Sequence, residues 1–223
     1  MTTATQNTFY AEGQLSALLK SETAQAHHDA ENSVFMTQLL DGKLDINAVA
    51  ALTGQLYFIY DALESAVRAN QDTAELAPIY DPRLERLSAL ESDLEQLYGG
   101  QWREHIAPLP ATQNYVEALR EIGTEQDGAA ALAHHYVRYL GDMSGGQVIA
   151  RMFEKYYGLD ERSTSFYDFD GIGRIKPYRD RYRITLNQLD LGAEAKENII
   201  DCASAAFAMN QAVFQALAEQ HVR

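Results

Sequence analysis

Apolar residues recur at spacings of three and four along most of the chain. Leu15, Leu18, Leu19, Ala24 and Ala26 carry the pattern over 13–31, and Ala48, Ala51, Leu52, Leu56, Ile59, Tyr60, Leu63 and Val67 carry it over 45–70. That period lines one face of an α-helix. Start and stop signals divide it. Ser33 is placed to cap a short helix over 34–40 that halts at Asp41-Gly42, and Asp45 opens the long helix. Asp81-Pro82 reads as a capped start, with proline in the first turn, of a helix running to Tyr98 and stopped by Gly99-Gly100. After a loop over 101–110, helices are expected at 112–123, 127–157, 177–189 and 193–219. Between the middle two lies an irregular stretch, 159–173, with the aromatic string Phe166-Tyr-Asp-Phe169. No hairpin signal, period-two strand or internal repeat interrupts the series. The pattern predicts an all-α fold of about eight helices in one domain over 13–223, preceded by a flexible polar arm over 1–12.

One stretch breaks the pattern from inside. Within the helix expected over 127–157, Gly141, Gly145 and Gly146 fall in six residues, at a cost of about 3 kcal/mol relative to alanine. Helices accept glycine for a cap, a kink or a ligand that must lie against bare backbone. Asp142 and Ser144 stand among the glycines, so polar atoms are offered where bulk is withdrawn. This reads as one wall of a pocket for a large, flat ligand.

Composition narrows the partners. The formal net charge is −14, which argues against nucleic acid and against anionic lipid surfaces. Cys202 is the single cysteine, so neither an internal disulfide framework nor a cysteine-rich metal site is available. The first residues lack a signal-peptide layout, and no apolar run reaches the ~20 residues of a membrane span. The expectation is a soluble, cytoplasmic protein with no membrane anchor.

Several constellations can carry chemistry. His27 and Glu31 stand at i and i+4, so the carboxylate can orient the imidazole. A neutral imidazole held in this way suits the axial position of haem iron. Spacing alone leaves open that His27 and His28 are polar residues on an exposed helix end. His28-Asp-Ala-Glu31 is half of a di-iron arrangement, but no Glu-x-x-His occurs to complete it. His134 and His135 are adjacent and point about 100° apart, so they cannot chelate one metal as a pair. Arg174, Lys176, Arg179, Arg181 and Arg183 place five of the chain's 18 basic residues in ten positions, suited to an acidic small ligand, an acidic partner or a solvated face. Lys20, seven residues before His27 on the same expected helix, can reach the same anionic group. Among 13 tyrosines, a few buried hydroxyls beside Asp142 can hold ordered water and so deliver protons.

Taken together, these motifs resemble the haem oxygenase family. His134-His-Tyr-Val-Arg-Tyr-Leu-Gly-Asp-Met-Ser-Gly-Gly-Gln147 is similar to the family's distal-helix signature, and Thr23-Ala-Gln-Ala-His27 with Ala30-Glu-Asn-Ser-Val-Phe-Met36 to its proximal one. Tyr182-Arg-Ile-Thr-Leu-Asn-Gln-Leu189, Phe207-Ala-Met-Asn-Gln-Ala-Val-Phe214 and Leu56-Tyr-Phe-Ile-Tyr-Asp-Ala-Leu-Glu64 extend the likeness over residues ~14 to 217. The resemblance implies a ligand held between a proximal and a kinked distal helix, with His27 as the proximal iron ligand steadied by Glu31. It places Gly141 and Gly145 against the distal face, with Gly146 allowing the bend. Asp142 is the distal carboxylate that orders water on the oxygen-binding side, and Tyr60, Arg138 and Tyr139 belong to its network. Lys20, Tyr136 and Arg183 match positions that bind the haem propionates. Arg174, Lys176 and Arg179 compete for one more such place, Arg179 marginally favoured. Phe207, Asn210 and Phe214 match residues lining the pocket. Met143 stands where leucine is commoner, a volume-conserving exchange.

The activity so implied is oxidative opening of haem to biliverdin, CO and ferrous iron. Haem b would be both cofactor and substrate, consumed with O₂ and electrons from a soluble donor such as a ferredoxin or a flavin or ferredoxin reductase. The protein is expected to act as a monomer. A haem chaperone or storage protein is the alternative; it would use His27 and the basic residues but need neither Asp142 nor the distal glycines.

Overall fold

The computed structural model describes residues 13–222; the arm expected over 1–12 lies outside the described residues. Ten α-helices follow one another: α1 Leu15–Glu22, α2 Ala24–Glu31, α3 Val34–Leu40, α4 Ile46–Ala69, α5 Leu87–Tyr98, α6 Pro110–Glu125, α7 Gly128–His135, α8 Gly141–Tyr157, α9 Ile175–Gln188 and α10 Ala193–His221. No strand occurs among the described residues, and no helix there is long and apolar enough to cross a membrane.

The difference from about eight helices comes from two divisions that periodicity does not show. Thr23 ends α1: its Oγ1 donates to Leu19 O at 2.7 Å, a back-bond that competes with the helix and lets α2 leave at a new angle. The helix expected over 127–157 follows one continuous path but changes register. A wider, π-type turn, Tyr136–Leu140, joins α7 to α8, and such turns concentrate at functional sites. The register change precedes the glycines, and Gly146 packs under the Tyr167 ring, whose Cδ1 would lie 3.0 Å from an added Cβ. A third expected helix is shortened. Residues 81–98 divide into a 3₁₀ turn, Pro82–Leu84, and α5, because the buried Glu64 carboxylate of α4 accepts from Arg86 N at 2.5 Å and Leu87 N at 2.9 Å and starts α5 there.

The remaining caps act as the sequence suggests. Ser33 Oγ accepts from Met36 N, Asp45 Oδ1 accepts from Asn47 N and Ala48 N, and Gly158 closes α8 at φ 68°. The core is built around α4, whose buried Leu52, Leu56, Ile59, Tyr60 and Leu63 pack against α5, α6 and α7. The long α10 lies across α7 and also holds α2 and α3. This arrangement leaves a cleft between α2 and α10 on one side and the π turn with α8 on the other.

Candidate functional site

The cleft has two lobes, of about 740 and 850 Å³ counting space open to solvent, that share His27, Val137, Gly141 and Phe207. One wall is α2. His27 is half-exposed, with Nδ1 3.4 Å from Glu31 Oε2 and its ring edge-on to Phe207 at 5.8 Å. Among the described residues Nε2 has no protein partner, so Glu31 can hold one nitrogen while the other remains available to a ligand.

The opposite wall is the π turn and the start of α8. An added Cβ at Gly141 or Gly145 would meet nothing within 4 Å, so both positions present bare backbone to open space. Asp142 stands between them. Tyr60 Oη donates to its Oδ2, and Arg138 Nη2 lies 3.6 Å from its Oδ1. Arg138 is itself buried, and its Nη1 donates to Asn210 Oδ1 at 2.8 Å. Burial raises the Asp142 carboxyl well above its ordinary range, while the guanidinium beside it works in the other direction. Arg138 Nε is buried without a protein partner, as expected where a water or ligand completes a network. Tyr139 is buried behind this wall rather than in it, its ring 5.8 Å from Tyr60 and 4.6 Å from His135.

The outer lobe is basic at its mouth. Lys20, Tyr136 and Arg183 line it, with Ser144 and Thr23. Of the three competing basic residues, Arg174 and Lys176 are exposed. Arg179 is partly buried, one turn before Arg183, with Nε unpartnered and its pKa lowered by burial and by the Arg183 charge. It does not itself line either lobe. The inner lobe is lined by the apolar Met36, Leu52, Leu56, Ile149 and Phe214, with His27, Glu31, Arg138, Asp142 and Asn210 as its polar members.

Sequence reading missed two wall residues, Phe166 and Tyr167, which close the inner lobe beside Asp142 from the short turn Ser165–Tyr167. Their aromatic string was visible, but an aperiodic segment has no face from which to infer direction. His134 and His135 lie in the core. His134 Nδ1 is 3.2 Å from Tyr115 Oη and His135 Nδ1 is 2.8 Å from Tyr182 Oη. Burial holds both neutral, His134 at about 4 and His135 at about 3.

Fold and site thus define an all-helical protein with a slot for a flat, acidic ligand, an imidazole with one unpartnered nitrogen on one face and a largely buried acid on the other. Comparison with known proteins gives the same answer. A family model described as Heme oxygenase matches residues 13–216. Heme oxygenase 1 of Gallus gallus is 39% identical over 206 residues, covering 91% of this chain and 69% of that protein. Heme oxygenase 1 of Synechocystis is 36% identical over 203 residues, covering 91% and 84%. Among solved structures, the Synechocystis heme oxygenase-1 in complex with heme superposes with TM-score 0.88 at 35% identity over 93% of this chain and 94% of that one. The heme oxygenase of Leptospira interrogans gives 0.84 at 34% identity over 91% and 98%. The chain belongs to the haem oxygenase family and, with it, is an oxidoreductase.

Proposed function

We propose that the cleft binds haem b, whose iron His27 Nε2 would hold, and that the chain opens the ring with O₂ and electrons to biliverdin, CO and ferrous iron. One observation carries this reading: a buried carboxyl with a raised pKa, Asp142, faces an unencumbered histidine across a gap lined by two glycines. A storage protein has no use for such a carboxyl.

The residues fit the group in size, charge and donor type. Gly141 and Gly145 let a flat face approach the backbone, and the inner lobe is apolar enough to exclude bulk water. Lys20, Tyr136 and Arg183 at the mouth, with Arg179 one turn away, offer charge-assisted bonds to two carboxylates. When bound, haem supplies the metal that activates O₂ and the carbon skeleton that is oxidised.

The protein's own part is proton supply and orientation. Tyr60 Oη holds Asp142 Oδ2, which leaves Oδ1 to Arg138 and to water. Burial raises the Asp142 carboxyl, which favours its protonated form and suits it to exchange a proton with water in the cleft. Asn210 fixes Arg138, whose Nη2 thereby stays beside Asp142 Oδ1. No second histidine faces His27 among the described cleft residues, so the acid–base group of the site is a carboxyl.

Electrons come from a separate, soluble donor of ferredoxin or reductase type. The exposed Arg174 just before α9, with Lys176 and Arg181 on it, favours an acidic one, in an otherwise acidic protein of the cytoplasm.

The test is direct. Haemin added to the purified protein gives the Soret band of a histidine-ligated complex, and a reductant under air converts it to a bile-pigment spectrum. A Soret band that persists with no pigment formed would overturn the oxygenase reading and leave storage.

A further inference from the structure

Behind the cleft lies a second buried carboxylate that the scheme above does not use. Asp93 of α5 is 1% exposed and aimed at the Ser165–Tyr167 turn. It accepts from Ser165 N at 2.8 Å, from Ser165 Oγ at 2.6 Å and from Phe166 N at 2.9 Å. Ser165 Oγ also reaches Ala89 O of the same helix at 3.2 Å. Taking a carboxylate out of water is costly unless its lone pairs are filled, and here one short turn fills them. Burial raises the Asp93 carboxyl and these three bonds lower it, which ties its ionised form to the position of the turn.

The turn carries part of the distal wall. Phe166 meets the Tyr60 ring edge-on at 5.1 Å, and Tyr60 is the donor to Asp142. Tyr167 lines the inner lobe with Asp142 and Arg138, its ring seated over Gly146. A three-residue 3₁₀ turn has little order of its own, so the placement of both rings must be imposed from outside.

We propose that Asp93 is a positioning residue for haem ring opening: by holding Ser165–Tyr167 it fixes Phe166 and Tyr167, and through Tyr60 it fixes the Asp142 carboxyl. The proposal rests on the reading of Asp142 as the proton-holding group of the site.

The deciding variant is Asp93→Asn, which keeps the volume but turns N–H groups toward N–H donors. It leaves His27 and the basic mouth untouched, so haemin affinity is unchanged. The rate of biliverdin formation falls by about tenfold at unchanged KM, as expected for displaced reacting groups. Amide exchange at Ser165 and Phe166 becomes faster in the ligand-free protein. The pH midpoint of the ferric complex's absorption spectrum moves in the same direction as in Asp142→Asn. Tyr167→Phe combined with Asp93→Asn costs less than the two single changes together, because both act on one wall. An Asp93→Asn protein with fast-exchanging amides but wild-type rate and midpoint overturns the proposal. Should that variant fail to fold, Ser165→Ala decides, since it removes only the hydroxyl bonds; wild-type rate and midpoint there are equally fatal. Asp142→Asn measured alongside separates the two readings. If it turns over normally the reading of Asp142 fails, whereas an impaired Asp142→Asn beside a normal Asp93→Asn removes only the role of Asp93.

Discussion

His27 is held at one nitrogen and is 46% exposed at the side chain, and both facts have consequences. Replacing it with alanine removes the histidine-ligated spectrum, and added imidazole restores it because the ring's place is open to solvent. A spectrum unchanged by His27→Ala would remove it as the ligand. Asp142 behaves differently, since it stands against the ligand's face without holding it. Asp142→Ala is expected to bind haemin with near wild-type affinity and to form biliverdin at least about tenfold more slowly, the scale of a lost general acid. Absorption spectra of single turnovers check this, and normal product formation contradicts it. Spacing alone left His27 open between a ligand and an exposed polar residue, and the likeness to the haem oxygenase family singled it out together with Asp142. Tyr167 was not legible, because its value lies in what its turn is tied to.

Elements divide where distant carboxylates and local back-bonds act, and neither leaves a periodic trace. Thr23 looks like any helix residue until its hydroxyl is seen on Leu19 O. Glu64 caps α5 across 22 residues of chain, and Asp93 caps a turn across 72. The caps of α3 and α4, by contrast, are local, and sequence alone placed them at Ser33 and Asp45. Glu64 gives this junction a pH signature. Burial raises its pKa from 4.5 to about 7, so the folded state favours the protonated form. That contribution is fully present below about pH 4.5 and is lost as pH rises through 7; at about 1.4 kcal/mol per unit it is at most roughly 3 kcal/mol. Urea unfolding of wild type and Glu64→Gln at pH 5 and pH 8 should show the wild-type advantage shrinking at the higher pH. A constant difference would contradict the linkage. The glycines of α8 make a second prediction. Gly145→Ala adds a methyl to open space on a helix, raising the stability of the ligand-free protein by up to about 1 kcal/mol. The same methyl stands where the ligand's face belongs, so haemin affinity falls; thermal melts and haemin titration of one sample read both signs.

The whole molecule carries a charge of −14, yet concentrates basic residues on α9. Reversing Arg174 and Lys176 to glutamate should slow reduction by an acidic donor on the order of tenfold at low salt, with the effect fading as ionic strength passes about 0.15 M. Stopped-flow reduction at two salt concentrations checks it, and a salt-independent rate would point to another docking face. The order of the helices has a consequence for synthesis. His27 lies on α2, near the start of the described chain, while Phe207, Asn210 and Phe214 of the opposite end complete its pocket, and Gln211 Nε2 donates to Ala26 O at 3.2 Å. On the ribosome α2 emerges early and must wait for α10 before its slot exists. Haem capture therefore waits for the synthesis of α10, and a nascent chain halted before α10 should leave haem unbound even with His27 fully exposed.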